Sequence, residues 1–196
     1  HKRFVLMSLL CNDSVTLDEK ELGDPTEIAL VNFGEQHGLD ELIIREQFPR
    51  VGEVPFDSDR KCMSTVHQLE NMLVMITKGG VDVLLSRISY VSGAHGIDAV
   101  TPEYITKIEQ ANKQLSSAGL RVLAFAYKPV SVREITTDDE DNLTFVGLVA
   151  MMDPPRAETI EAIAECKHAG IKTIMITGDH LITAAAIAKQ IGILQD

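Results

Sequence analysis

The sequence is poor in cysteine and has no long apolar run. Its cysteines, Cys11, Cys62 and Cys166, are far apart and form no Cys-x-x-Cys or Cys/His cluster. A disulfide framework or a structural zinc site is therefore not expected, and unpaired thiols are typical of a reducing, cytosolic compartment. The longest apolar run covers residues 145–152. A membrane-spanning helix needs about 20 residues, so we expect none here.

Basic residues are scarce relative to acidic ones. The chain has 18 Lys and Arg against 29 Asp and Glu, which gives a net charge of −11. This balance disfavours nucleic acids and anionic membranes as partners, although a local basic pocket could still hold an anion. The acidic run at residues 136–141 is expected to be solvated surface.

The first residues imitate a short secretory signal, because basic residues are followed by apolar ones. No small-residue cleavage site follows, so we interpret the stretch as an amphipathic helix of the fold. Because the sequence begins with His1 rather than Met, we expect a piece excised from a longer protein.

Helix and strand signals mix without regular alternation before about residue 150. Asp24 and Pro25 have the chemistry of an N-cap and a first helical residue, and Gly38 marks the end of that helix. A further helix begins at Pro102. Strands are predicted at residues 53–57, 62–67, 72–77, 120–128 and 143–151.

The later residues follow an α/β pattern. It consists of a helix at 154–168, a short buried strand at 172–176, a turn at 177–179 and a helix at 180–190. Ligands of open parallel sheets gather at the carboxyl ends of such strands. We therefore predict two domains, residues 1–150 and residues 151–196.

Seven short motifs occur in order along the chain. They are residues 11–13 (CND), 23–30 (GDPTEIAL), 54–63 (VPFDSDRKCM), 78–80 (KGG), 119–121 (GLR), 153–156 (DPPR) and 177–179 (TGD). Together they resemble the cytoplasmic catalytic region of P-type cation-transporting ATPases, most of all the calcium-pump-like group. The resemblance implies an α+β nucleotide-binding domain over 1–150, in which helices flank an antiparallel sheet. It also implies a partial α/β segment of the phosphorylation domain over 151–196, Rossmann-like and of the haloacid-dehalogenase type.

Two residues gain a role toward adenine from this resemblance. A phenylalanine at a strand end, such as Phe56, is usually part of the core, but the resemblance makes it the ring on which adenine stacks. Glu27 could be only a favourable charge in the first turn of its helix. The resemblance makes it a contact to the exocyclic amine of adenine, since an ionised carboxylate accepts hydrogen bonds and donates none.

Positive charge for the phosphates would come from Lys61, Lys78 and Arg121. Lys61 follows Arg60, and a basic pair of this kind is normally exposed surface. Lys78 ends an apolar strand before Gly79, where the missing side chain lets backbones approach closely, although the stretch could be merely a turn. Arg121 could lie at the edge of its strand. The resemblance makes Lys61, Lys78 and Arg121 nucleotide contacts, and a planar guanidinium suits phosphate oxygens. It also places Gly79, next to Lys78, among the nucleotide-binding residues.

The resemblance also assigns supporting roles near the transferred phosphoryl group. Asp153 would lie in the hinge between the two domains, near the bound phosphate and its Mg²⁺. Thr177, Gly178 and Asp179 would approach the phosphoryl group when the domains close, and Asp179 could cap the following helix as well. No metal site is predicted within the chain itself.

Three departures from the family pattern limit what this chain can do. Ser58 stands where an arginine is frequent, and residues 80–82 (GVD) replace the usual Ala-Pro-Glu or Ala-Pro-Asp. No Asp-Lys-Thr-Gly-Thr segment occurs, so the phosphorylated aspartate lies outside this stretch. We therefore expect part of an enzyme that binds ATP or ADP and does not turn ATP over alone.

The implied partners are ATP with Mg²⁺ and the phosphorylation, actuator and membrane domains of the same pump. The implied location is a cytoplasmic domain of an integral membrane protein, with calcium as the favoured ion. One alternative is a phosphatase or phosphotransferase of the haloacid-dehalogenase type. Residues 13–16 faintly resemble the nucleophile loop of such an enzyme, but they follow a predicted helix rather than a buried strand, so we reject them as a nucleophile loop. The other is a non-catalytic module that has lost its nucleotide, which only Ser58 supports.

Overall fold

The structure is a computed structural model that describes residues 2–17, 20–69, 71–93, 96–152, 155–178 and 181–194. The chain separates into two compact units. The first unit comprises His1–Ile105 and Leu123–Val149, and the second comprises Thr106–Val122 and Ala150–Asp196. The second unit takes residues from both sides of the boundary predicted near residue 150, and that boundary stays a prediction.

Helices and strands alternate irregularly up to about residue 150, as the sequence predicts. The elements are α1 (Lys2–Leu10), β1 (Val15–Leu17), β2 (Lys20–Leu22), α2 (Pro25–Gln36), α3 (Glu41–Gln47), β3 (Arg50–Asp57), β4 (Cys62–Leu69), β5 (Met72–Gly79), α4 (Val81–Leu85), β6 (Ile88–Gly93), β7 (Gly96–Ala99), α5 (Pro102–Ser117), β8 (Arg121–Val130), β9 (Leu143–Met151), α6 (Ala157–His168) and α7 (Leu181–Gln190). The predicted strands at residues 53–57, 62–67, 72–77, 120–128 and 143–151 are confirmed by β3, β4, β5, β8 and β9.

Helix α2 shows how local chemistry sets an element. The carboxylate of Asp24 accepts a hydrogen bond from the backbone N–H of Thr26 at 2.8 Å, and Pro25 occupies the first turn. Gly38 follows the helix with φ of +75°, a left-handed conformation that glycine adopts without strain. The predicted start and end of this helix are confirmed.

A seven-stranded sheet runs in the order β3-β4-β5-β8-β9-β6-β7. Strand β3 pairs antiparallel with β4, β4 with β5, β5 with β8 and β6 with β7, whereas β6 and β9 pair parallel. The predicted α+β fold with a sheet flanked by helices is confirmed, with one parallel pair added. Strand β3 lies at one edge of the sheet, and β4 and β5 are internal.

Helix α1 packs into the core of the first unit. Its Met7 and Leu9 are fully buried, and the ring of Phe4 meets the ring of Phe125 edge-on, with 5.3 Å between centroids. The helical interpretation of the N-terminal stretch is confirmed. Within the described ranges, no helix is both long and apolar enough to cross a membrane. The cysteines are free thiols.

The acidic run at residues 136–141 departs from its prediction. Glu140 is only 1% exposed, and its carboxylate pairs with Arg60 and Arg87. The expectation of solvated surface is wrong for Glu140, because two guanidinium groups compensate the burial of its charge. The spacing of apolar residues in the sequence does not predict the burial of a charged residue such as Glu140.

The second unit forms its helices but not its predicted strand. Helix α7 and the stop at Gly192, with φ of +82°, are confirmed, and α6 begins at Ala157 rather than at residue 154. Residues 172–176 form no strand, and Ile176 is 93% exposed. The predicted buried strand is wrong because a parallel strand needs neighbours to bond its backbone and cover its faces. The described residues of this unit supply none, so the haloacid-dehalogenase-type sheet is not formed.

Candidate functional site

Lys78 and Glu27 form a buried ion pair in the first unit. Lys78 lies in β5 opposite Met63 of β4 and Phe125 of β8, and its ammonium nitrogen is 2.5 Å from Oε1 of Glu27. A buried ammonium needs a compensating partner, and the first-turn carboxylate of α2 provides it. Two residues predicted as nucleotide contacts are therefore together.

The segment between α1 and β1 holds Glu27 in place. The backbone N–H of Asp13 donates to Oε2 of Glu27 at 3.0 Å, and the Ser14 hydroxyl lies 3.4 Å from the same oxygen. The side chain of Asn12 donates to the backbone carbonyl of Glu27 at 2.9 Å. The sequence motif at residues 11–13 had no assigned role, and its contacts show that it positions this carboxylate.

Lys61 ends a tight turn that joins β3 to β4. Its N–H donates to the carbonyl of Asp57 at 2.7 Å, and the side chain of Asp57 accepts from the N–H groups of Asp59 and Arg60. Lys61 has φ of +53°, a left-handed conformation that is uncommon for residues other than glycine. Its carbonyl accepts the N–H of Gly80 at 3.0 Å, which ties the turn to the end of β5.

Gly79 is required for this close approach. A Cβ atom placed on it would lie 2.5 Å from Cβ of Cys62 and 2.7 Å from the carbonyl oxygen of Lys61. Real carbon atoms do not approach so closely, so any side chain would force β4 and β5 apart. The close backbone approach predicted for the glycine pair is confirmed at Gly79. At Gly80 the first clash is with the flexible side chain of Asp82, at 2.8 Å.

Phe56 lies on the edge strand β3, just before the turn. Its side chain is 61% exposed, which excludes the interpretation of this ring as core. Asp57 pairs with Cys62, which in turn pairs with Gly79. The structure therefore brings Phe56, Lys61 and the Lys78–Glu27 pair to one end of three neighbouring strands.

A buried polar cluster lies beside this turn, and we call its members the Glu140 cluster. It consists of Arg60, Cys62, Ser64, Arg87 and Glu140. Arg60 is 11% exposed and bonds both oxygens of Glu140, so the prediction that the basic pair is surface is wrong for Arg60. Burial works to lower the pKa of Arg60, but the hydrogen bonds and charge of Glu140 outweigh it and the pKa is raised. Burial, then Glu140, raises the pKa of the Cys62 thiol.

The remaining predicted site residues lie outside the first unit or outside the described residues. Arg121 begins β8 and belongs to the second unit. Thr177 and Gly178 are exposed and lie in no helix or strand. Asp153 and Asp179 fall outside the described residues. The roles of these residues stay predictions.

A cavity of about 280 Å³ also lies in the first unit, and it shares Asn12 and Asp13 with the segment that holds Glu27. It is lined by Leu10, Asn12, Asp13, Arg45, Phe48, Arg50 and His67. His67 is buried, and its Nδ1 donates to the carbonyl of Phe48 at 2.9 Å. Burial lowers the pKa of His67 to about 4, with a smaller contribution in the same direction from Arg50. Asp13 is ion-paired with Arg50 at 2.6 Å and follows a helix, which agrees with its rejection as a phosphatase nucleophile.

Comparisons with known proteins give this arrangement a family. The family of the P-type ATPase cytoplasmic domain N matches residues 1–158. The chain is 46% identical over 196 residues to a calcium-transporting ATPase of Listeria monocytogenes, covering 98% of this chain and 22% of that protein. It is 48% identical over 191 residues to calcium-transporting ATPase 1 of Lactococcus lactis, with 96% and 22% covered.

A more distant relative is the sodium/potassium-transporting ATPase subunit alpha of Drosophila melanogaster. It is 36% identical over 214 residues, and the match covers 97% of this chain and 20% of that subunit. The chain therefore belongs to the family of the P-type ATPase cytoplasmic domain N. It spans about a fifth of the length of these curated relatives.

Proposed function

We propose that this chain is the ATP-binding part of a P-type cation-transporting ATPase, in which it holds ATP for transfer of the γ-phosphoryl group to an aspartate outside this stretch. One observation carries the proposal. An exposed aromatic ring, Phe56, lies at the same end of the sheet as Lys61 and the Lys78–Glu27 pair. A base-stacking surface next to cations is what a purine nucleotide requires.

Each residue has a definite task in this proposal. Phe56 offers its exposed face to adenine, and Glu27 accepts a hydrogen bond from the exocyclic amine. Lys61 and Lys78 attract the phosphates on a chain whose net charge is −11. Because Lys78 and Glu27 already bond each other, the nucleotide must share or displace that pair.

Phosphoryl transfer depends mainly on positioning and on neutralisation of charge, so a holding domain contributes without touching the reacting bond. Mg²⁺ neutralises phosphate charge when it is bound in the complete enzyme. The described ranges contain no group of three or more His, Cys, Asp or Glu that could hold a metal ion. We propose that the residues of this chain bind and orient the nucleotide, with Arg121 as a further phosphate contact.

The wider proposal concerns the complete protein. The relatives named calcium-transporting ATPases support calcium as the transported ion. The rest of the pump, including its phosphorylation, actuator and membrane domains, would be the partner of this chain on the cytoplasmic side. Thr177, Gly178, Asp153 and Asp179 are proposed to approach the phosphoryl group there. Without the acceptor aspartate, the chain alone should bind ATP and show no sustained hydrolysis.

An NMR titration with ATP tests the proposal directly. Binding in the range of roughly 0.1–1 mM corresponds to about 4–5.5 kcal/mol and would give fast-exchange shifts. We expect the largest shifts at Phe56, Lys61, Lys78 and Glu27. The absence of shifts at millimolar ATP, or shifts centred on Phe48 and His67 with none at Phe56 and Lys61, would contradict it. Sustained ATPase activity of the purified chain would contradict the expectation about turnover.

A further inference from the structure

The Glu140 cluster lies beside the turn at residues 57–61. This turn follows Phe56 and ends at Lys61. We infer that Glu140 is a positioning residue for nucleotide binding: its carboxylate holds Arg60, and through Arg60 it holds that turn. The inference rests on the proposed function. The inference goes beyond the proposed function because Glu140 makes no contact with the nucleotide in that proposal. Glu140 is also 80 positions from Arg60 in the chain.

One side of the Glu140 carboxylate is fixed to the sheet. Oε1 accepts the hydroxyl of Ser64 at 2.6 Å, and that hydroxyl oxygen lies 2.9 Å from the hydroxyl of Thr77. Ser64 and Thr77 lie opposite each other in β4 and β5. Arg87, between α4 and β6, donates to Oε2 at 2.8 Å. Glu140 is therefore anchored to two internal strands before it meets the turn.

The other side of the carboxylate holds the turn. Nη1 of Arg60 lies 2.5 and 2.6 Å from the two oxygens of Glu140. Nη2 of Arg60 donates to the backbone carbonyl of Pro55, the residue before Phe56. A single guanidinium thus links both sides of the turn to the anchored carboxylate.

The link through Arg60 keeps the turn at residues 57–61 ordered before the nucleotide binds. The turn contains Lys61 in an uncommon left-handed conformation, which persists only where its surroundings hold it. A turn that is already ordered spares the nucleotide the entropic cost of ordering it. Removal of Glu140 would also leave two guanidinium groups close together without their shared counter-charge.

The experiment compares Glu140→Gln and Arg60→Lys with Asp139→Asn in the same 196-residue chain. Asp139 is the matched control because it lies next to Glu140, and among the described residues its carboxylate accepts hydrogen bonds from Thr136 in the same loop. ATP affinity is measured by NMR titration. Hydrogen exchange of the backbone amides of Lys61 and Gly80 is measured without nucleotide.

We expect Glu140→Gln to weaken ATP binding about fivefold and to speed exchange at Lys61 and Gly80, while the amide of Ile76 in the middle of β5 stays protected. Arg60→Lys should act in the same direction, since an ammonium cannot make the forked contact. The double variant should bind ATP no more weakly than the worse single variant, because both changes break one link. Asp139→Asn should match the wild type.

Several results would overturn the inference. One is a folded Glu140→Gln variant that binds ATP as tightly as the wild type, and another is simple addition of the two single effects. If Glu140→Gln does not fold, Arg60→Lys decides alone: normal exchange at Lys61 together with normal affinity would refute the link. Failure of the wild type to bind ATP refutes the proposed function, whereas wild-type binding with an unaffected Glu140→Gln variant refutes only this inference.

Discussion

The ammonium group of Lys78 and the carboxylate of Glu27 lie 2.5 Å apart although 51 positions separate them in the chain. The pair joins helix α2 to the internal strand β5, and both residues belong to the site at which we propose that the nucleotide binds. In the proposed function, the same two groups therefore bond each other in the free protein and contact the nucleotide when it binds.

The first prediction concerns this pair. Lys78→Met leaves the Glu27 carboxylate without its counter-charge, so the free energy of unfolding should fall by about 3 kcal/mol. Urea denaturation measures this loss, and the double variant Lys78→Met with Glu27→Gln should recover part of it. If the single variant is as stable as the wild type, the ion pair contributes nothing to the fold.

Gly79→Ala should destabilise the chain by about 1–3 kcal/mol, because its new methyl group would overlap Cβ of Cys62 and the carbonyl of Lys61. Gly80→Ala is the control, since the close contact of its new methyl group would be with the end of the Asp82 side chain, which can rotate away. Thermal unfolding of the two variants measures the difference. Equal melting temperatures of the two variants would show that the end of β5 accommodates the new methyl group without loss of stability.

Phe56→Ala should separate binding from stability. The ring is largely exposed, so the free energy of unfolding should change by no more than about 0.5 kcal/mol. ATP affinity should fall by about 1–3 kcal/mol if adenine stacks on the ring. Ile97→Ala on β7, where the side chain is 56% exposed, is the control and should leave affinity unchanged. A Phe56→Ala variant with wild-type affinity would remove the stacking role.

His67 should make the fold sensitive to acid. Its pKa is about 4 in the folded chain and 6.5 when unperturbed, so between these values the unfolded chain binds the proton and the folded chain does not. Stability from this group is complete above pH 6.5 and is lost as pH falls toward 4, by roughly 3 kcal/mol.

The measurement is urea denaturation at several pH values between 4 and 7. His67→Gln should flatten the dependence relative to the wild type, because a neutral side chain remains at all pH values. His168→Gln, which changes an exposed histidine on α6, is the control. Identical slopes for the wild type and His67→Gln would contradict the assignment.

Local signals in the sequence predict much of the first unit. Asp24 and Pro25 begin α2 as their chemistry requires, and the predicted strands before and after Glu70 become β4 and β5. The exposure of Phe56 could not be predicted from its strand pattern, because the edge position of β3 is set by the pairing of distant strands.

Other features have no local signal at all. Glu140 sits in an acidic run, and its burial depends on Arg60 and Arg87 from remote parts of the chain. Residues 172–176 carry a convincing strand pattern but form none, because strand formation needs a neighbouring strand. The local sequence pattern shows which structure a segment can adopt, and contacts with distant segments determine whether it forms.

The thiols give the chain an internal set of chemical reporters. Cys11 and Cys62 are sealed from solvent, whereas Cys166 is partly exposed. An alkylating reagent should therefore modify Cys166 promptly and reach the other two only when the fold opens. Labelling of Cys62, which contacts Arg60 at 3.2 Å, would time the opening of the strand end that carries the proposed site.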